Sequence, residues 1–196
     1  MSRRKPVEVF DDWAKQGKDE GMESGHAAAV GEMLALALSK VAELGKEFAA
    51  IDAGCGNGWV VRDLAMMPLC RRAIGVDGAE SMIKKAKEID PDGEYHHADL
   101  QEWRPEIPVD LVHSMEVFYY VEYTNALLSH IAAWLKPDGY LIFGVDRYTE
   151  NPESHDWDGQ VGCFMALLSE DEWSKMVTDA GFSIIKRWRA APDPYR

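Results

Sequence analysis

Residues 49–59, Ala-Ala-Ile-Asp-Ala-Gly-Cys-Gly-Asn-Gly-Trp, constrain the fold more than any other stretch of this chain. A short apolar strand runs into an aspartate, and three glycines at alternating positions then open a helix. Glycine lacks a Cβ, so it tolerates positive φ and lets the backbone approach a ligand closely. A turn of this kind at the carboxyl end of a parallel strand is where open α/β sheets bind nucleotides. The spacing is Gly-x-Gly-x-Gly, tighter than the Gly-x-Gly-x-x-Gly of dinucleotide sites. Asp52, just ahead of the first glycine, repels a pyrophosphate and suits a ligand carrying positive charge.

Carboxylates recur at the tips of the next apolar runs. Asp77 ends the run 72–76, at the interval where an acidic residue binds ribose hydroxyls. Asp99 follows the strand-like 94–98, and residues 109–114 read as a fourth strand. Residues 135–143 read as a helix end, a tight turn at Pro137-Asp138-Gly139 and a fifth strand. These motifs, in this order, resemble the class I S-adenosylmethionine-dependent methyltransferases, in particular the small-molecule branch, over about residues 9–189.

The resemblance implies an α/β fold: a Rossmann-like, doubly wound, mostly parallel sheet of six or seven strands, flanked by helices in a three-layer sandwich. It implies one domain over residues 1–196 and S-adenosylmethionine as methyl donor, leaving as S-adenosylhomocysteine. What each residue offers then assigns the cofactor-binding set. Asp52 suits the donor's ammonium group, and the backbone of Gly54, Cys55, Gly56 and Gly58 suits close approach. Asp77 offers two acceptors to the ribose diol. Asp99 is expected to accept from the adenine amino group while the Leu100 amide donates to the ring, and the Ser114 carbonyl is a second acceptor for the ammonium. Gly78 departs from the family, which favours an apolar side chain there against the adenine; Met82 or Trp103 are the expected substitutes.

Residues 1–26 read as an N-terminal lid built on Phe-Asp-Asp-Trp-Ala at 10–14, with Trp13 over the cofactor. Gly17, Gly21 and Gly25 argue for a mobile segment rather than a regular helix. Residues 146–168 read as a substrate-side insertion. Candidate general bases are His26 in the lid, Glu116 after strand 4, and Asp146 and His155 after strand 5, with His26 and His155 placed first. No metal site is expected. Met115, Phe118, Tyr119, Tyr120 and Trp157 are candidates for an apolar acceptor pocket.

Composition limits the partners. The formal charge is −13, which repels phosphate backbones, and Ser114-Met115-Glu116-Val117 lacks the proline-rich grip of nucleobase methylases. A small-molecule acceptor is expected, with no nucleic acid or membrane partner, in a monomer or homodimer. Three scattered cysteines form no Cys-x-x-Cys, which favours a reducing cytoplasm. No apolar run approaches the 18 or so residues of a membrane span. Two rival readings stand: a protein or peptide methyltransferase, and a non-catalytic S-adenosylmethionine-binding sensor or partner subunit.

Elsewhere the periodicity predicts helices over 27–44, 59–67, 79–89, 124–135 with Thr124 as N-cap, and 169–180 opened by a capping box at Ser169 and Glu172. Lys84, Lys85 and Lys87 form an expected solvated face. Residues 1–8 are expected to fray, and 162–168 and 182–190 to form strands. With no further run for an antiparallel strand, the expectation is a six-stranded sheet or an edge covered by a neighbouring chain.

Overall fold

The structure is a computed structural model that describes residues 3–43 and 45–191. Helices α1 (Pro6–Lys15) and α2 (Met22–Glu43), joined by a 3-10 turn at Lys18–Gly21, precede the first strand. Then β1 (Phe48–Ala53), α3 (Trp59–Ala65), β2 (Cys70–Asp77), α4 (Glu80–Ile89) and β3 (Glu94–His97) alternate. They are followed by β4 (Val109–Met115), α5 (Thr124–Ala132), β5 (Leu135–Gly144), α6 (Trp157–Val161) and α7 (Glu170–Asp179).

The sheet is parallel throughout, in the order β3-β2-β1-β4-β5. The chain runs outward from β1 through β2 and β3, then crosses back to β4, so the strand order reverses between β1 and β4. Ligand crevices form at such reversals, beyond the carboxyl ends of the strands. Both faces of the sheet are covered, so its strands are nearly continuous apolar runs rather than alternating ones. Ile51 and Ala53 face a core completed by Leu127, Leu128, Ile131, Trp134 and Trp173. Phe48 and Ala50 face the opposite core, made with Val30, Leu34 and Val41 of α2 and Val60 and Leu64 of α3.

Five strands are present among the described residues, not six or seven. Residues 162–168 contribute a single bridge, Cys163 to Arg4, instead of a strand. The strand expected at 182–190 does not form because its side chains bind the helices instead. Arg187 and Arg189 reach Asp171 and Glu170 on α7, and the Trp188 indole and Ala191 amide donate to Glu32 on α2. Ile184 and Ile185 are 43% and 63% exposed, so their alternation meets no buried face.

Helix α2 begins at Met22 rather than at 27 and passes through Gly25. A glycine inside a helix costs about 1 kcal/mol. The buried stripe Val30, Met33, Leu34, Ala37 and Val41 outweighs that cost. Residue 44, the expected end of this helix, lies outside the described residues, as do residues 1 and 2 of the expected frayed terminus, which is helical from Pro6. Thr124 is the first residue of α5, not its cap; its hydroxyl donates to the Val121 carbonyl at 2.8 Å. The capping box of α7 forms, with Glu172 N to Ser169 Oγ at 3.1 Å and Ser169 N to Glu172 Oε2 at 2.7 Å. No helix among the described residues is long and apolar enough to cross a membrane.

Candidate active site

The glycine turn follows β1 at the strand-order reversal. Gly54, Gly56 and Gly58 have φ of +80°, +53° and +80°. Two of them also have no room for a side chain. A Cβ at Gly54 would lie 2.2 Å from Val117 Cγ2, and one at Gly58 would lie 2.5 Å from the Tyr95 ring. Gly56 instead faces Met22 and Met82, which reach over the turn. Cys55 turns its thiol inward against Val61, Ile83 and Tyr95, and burial raises its pKa well above the ordinary thiol value. Only its backbone is left to face the crevice.

Asp77 spans the mouth of the turn. Its Oδ2 accepts the Gly56 amide at 2.9 Å and its Oδ1 accepts the Ala79 amide at 2.7 Å. A carboxylate offers about four lone-pair directions, so half remain for a ligand. Burial raises its pKa, against the lowering by those two amides. Gly78 is where helix α1 closes on the sheet: a Cβ there would lie 2.6 Å from Val7 Cγ1. Val7 thus fills the space that a side chain at position 78 would take. Met82 packs under Ala14, Phe10 and Met22, and Trp103 packs edge-on against Trp134 at 5.1 Å. A groove of about 410 Å³ runs beside this contact, lined by Val7, Asp11, Gly78 and His97 among others.

Asp52 is not free. It is 3% exposed, and the Nδ1–H of the fully buried His113 donates to its Oδ1 at 2.7 Å. The His113 Nε2 has no hydrogen-bond partner among the described residues. The expected role of Asp52 toward an ammonium is thus reduced to its second oxygen. Sequence reasoning missed His113, which looks like an ordinary strand residue; the only available signal was its register opposite Asp52 in adjacent strands. Ser114 is buried, its hydroxyl donating to the Ala53 carbonyl at 2.7 Å. Asp99 is exposed and caps its own turn by accepting the Gln101 amide at 2.9 Å, with Leu100 buried beneath it.

The lid is ordered into helices, contrary to the expectation from its glycines. Buried Asp19 pins it, accepting from Lys85 Nζ of α4 at 2.6 Å and from Asn57 Nδ2 of the glycine turn at 3.1 Å. Lys85 therefore belongs to an internal anchor and not to a solvated face. Asp11 accepts the Ser81 amide at 2.7 Å, and the Lys15 and Ser81 hydrogen bonds lower its pKa to about 2. Phe10 stacks edge-on with Trp13 at 5.2 Å and with Tyr120 at 4.9 Å, so the half-buried Trp13 belongs to an aromatic seam across the crevice.

Three of the candidate bases converge. Ligand atoms of His26, Glu116 and Asp146 all lie within 4.8 Å of one another. Glu116 follows β4 with a left-handed φ of +59°, a strain a non-glycine side chain holds only where its surroundings over-determine it. Its Oε1 accepts the Asp146 amide at 2.6 Å and its Oε2 accepts the Tyr119 hydroxyl. Burial, then the charge of Asp146, push its pKa up from 4.5 to about 8. His26 Nδ1–H donates to the Met22 carbonyl at 2.8 Å, which leaves Nε2 as the acceptor. His155 is not part of this cluster: it is exposed and bonded to the Thr149 carbonyl within its own loop at 2.9 Å. Of the expected pocket residues, Phe118 and Tyr119 are buried core.

A family model described as a methyltransferase domain matches residues 28–187. The chain belongs to the methyltransferase domain family. A trans-aconitate 2-methyltransferase of Klebsiella pneumoniae is 31% identical over 156 residues, 75% of this chain and 60% of the relative. One from an Azoarcus species is 31% identical over 102 residues, 52% of this chain and 40% of the relative. This methyltransferase-family chain thus spans about half the length of those relatives. Among solved structures it superposes, with a TM-score of 0.79, on a chain of the complex between the Haloferax volcanii Trm112 methyltransferase activator and a putative methyltransferase. That match has 31% identity and covers 92% of this chain and 77% of the other. An S-adenosylmethionine-dependent methyltransferase of Mesorhizobium loti shares the fold with a TM-score of 0.62 at 23% identity, covering 72% and 76%.

Proposed function

We propose that this chain is an S-adenosylmethionine-dependent methyltransferase that acts on a small-molecule acceptor. The observation that carries the reading is Asp77, fixed by the Gly56 and Ala79 amides across a turn whose Gly54 and Gly58 have no room for a side chain. When bound, the donor supplies a methyl group on a cationic sulfur, already activated for displacement. The chain's task is then to bind, align and keep water out. Asp77 would accept from the ribose diol, the Gly54–Gly58 backbone would line the nucleoside, and the free oxygen of Asp52 with the Ser114 carbonyl would face the amino-acid end. The α1 helix and the Phe10–Tyr120 seam would close the crevice. Alignment of well-oriented reactants is worth roughly 7–11 kcal/mol of barrier, which makes a rigid, closed crevice the main catalytic device. His26 through its Nε2, and Glu116 once it has lost its own proton near pH 8, would be the groups to take a proton from the acceptor.

Calorimetry with S-adenosylhomocysteine, followed by its release from S-adenosylmethionine with small acceptors, tests this reading. No binding by the chain removes the proposal. Binding without turnover on any small acceptor favours the sensor reading, and turnover only on peptides favours a protein methyltransferase. The likeness to a chain solved in complex with a methyltransferase activator supports a second component, so the turnover assay is run with and without a Trm112-type partner.

A further inference from the structure

We infer that His113 is a positioning residue for the methyl donor: it holds Asp52 so that the free carboxylate oxygen receives the donor's ammonium group. This rests on the methyltransferase reading and deepens the donor half of the same site.

The two residues are register partners on β1 and β4, the strands between which the order of the sheet reverses. Both side chains point to the α2 side of the sheet. Ala50 and Leu111, two residues earlier on each strand, lie in the core made with Val30, Leu34 and Val41, and side chains two apart share a face. Met115, two residues later on β4, packs against that same core. His113 is therefore a polar ring set between Leu111 and Met115 in an apolar layer, fully buried.

Packing alone does not account for a histidine there. Its Nε2 has no hydrogen-bond partner among the described residues, and an unpaired buried nitrogen costs stability that a leucine would not. What the ring supplies is one directed donor, the Nδ1–H that meets Asp52 Oδ1 at 2.7 Å. The other donors nearby are committed elsewhere. The Gly54 and Cys55 amides go to the Val76 carbonyl at 2.8 and 3.1 Å, the Gly56 amide to Asp77, and the Ser114 hydroxyl to the Ala53 carbonyl. Among the described residues His113 alone thus fixes the plane of the Asp52 carboxylate, and no lysine or arginine pairs with it.

The opening lies at the other oxygen. Asp52 is 3% exposed, and its Oδ2 has no hydrogen-bond partner among the described residues, yet unlike His113 Nε2 it is not sealed from solvent. An ammonium group, with three donors and a positive charge, is the complement to that oxygen. Without His113 the carboxylate is free to turn, and the ammonium loses an acceptor held in place.

The test uses the whole chain. Calorimetry compares S-adenosylhomocysteine with its deamino analogue, S-(5′-adenosyl)-4-thiobutyrate, which lacks only the ammonium group. The parent is expected to prefer S-adenosylhomocysteine by about tenfold or more, the worth of one charged hydrogen bond. His113→Leu is expected to cut that preference to about threefold or less, with affinity for the analogue within about threefold of the parent's. His113→Asn, whose side-chain amide offers an N–H in place of Nδ1–H, should keep most of the preference. Asp52→Asn should abolish it, and adding His113→Leu to Asp52→Asn should remove nothing further, because one residue acts through the other. If the leucine variant does not fold, His113→Phe takes its place. The inference is overturned if the leucine variant weakens both compounds by the same factor, the mark of packing alone, or if it keeps the parent's preference. It is also overturned if the asparagine variant does no better than the leucine one, or if the parent shows no preference. Failure of the parent to bind either compound would instead overturn the methyltransferase reading itself.

Discussion

Glu116→Gln is predicted to make the protein more resistant to alkaline pH while damaging its chemistry. The Glu116 carboxyl titrates near pH 8 in the folded chain against 4.5 ordinarily, because burial and the Asp146 charge disfavour the carboxylate. Below pH 4.5 the folded and unfolded states are both protonated and the group contributes nothing. Between 4.5 and 8 the unfolded chain releases the proton and the folded chain keeps it, so stability falls by about 1.4 kcal/mol per pH unit. Summed over that window the loss is about 3–6 kcal/mol, allowing a unit either way in the folded value. Glutamine fills about the same volume and does not ionise; its oxygen can accept the Asp146 amide while its NH2 donates to the Tyr119 hydroxyl oxygen. The variant and the parent should therefore differ by a constant below pH 5 and diverge up to pH 8, the variant gaining. For a chain of this size about 1 kcal/mol moves Tm by roughly 2–4 °C, so the gap should widen by roughly 6–20 °C between pH 5 and 8.5. Thermal melts of both proteins in matched buffers measure it. Parallel curves would falsify the buried-carboxyl argument. The same titration sets the activity profile: parent kcat/KM should rise with pH through a midpoint near 8 and level off above it, and the Gln variant should lack that limb.

Three further perturbations probe the rest of the site. Asp77→Ala leaves the Gly56 and Ala79 amides unpaired and removes the diol acceptor, so S-adenosylhomocysteine affinity should drop by more than about tenfold, a single charged hydrogen bond being worth about 1.5–3 kcal/mol; calorimetry showing equal affinity contradicts the assignment. Gly54→Ala combines a left-handed φ with a Cβ 2.2 Å from Val117, and urea denaturation should record a loss of roughly 2–4 kcal/mol. Lys85→Met strips buried Asp19 of its cation, so limited proteolysis should cut the 15–22 segment faster than in the parent, and Asp19→Asn added to Lys85→Met should restore part of the protection; unchanged cleavage means the lid is held by its apolar contacts alone.

The alternation of strand and helix was legible because it rests on local periodicity. Ala49–Ile51 and Ile74–Val76 are apolar on both faces, as a covered parallel strand must be, and Ser169 with Glu172 carries its cap within four residues. The element that did not form, residues 182–190, has the alternation of a strand and fails for a reason no local pattern contains. Its arginines find Glu170 and Asp171 on α7, and its Trp188 finds Glu32 on α2, partners far away in sequence. The lid shows the reverse error. Three glycines at spacing four read as mobility, yet burial of α2 against the sheet and the Asp19 anchor order the segment, because tertiary packing overrides propensity.

Within the site, what was legible was the set of residues that the turn and the strand tips must present, Gly54 to Gly58 and Asp77, whose position follows from topology. What was not legible was which neighbour each would meet. Asp52 faces His113 because β1 and β4 are adjacent in the sheet, a pairing set by the crossover and not by any spacing along the chain. Likewise His26, Glu116 and Asp146 come from three separate segments, and only the order β1-β4-β5 with α2 lying over it brings them together. The 31% identity to a trans-aconitate 2-methyltransferase covers 60% of that relative, so the acceptor named there does not carry over to this chain by likeness alone.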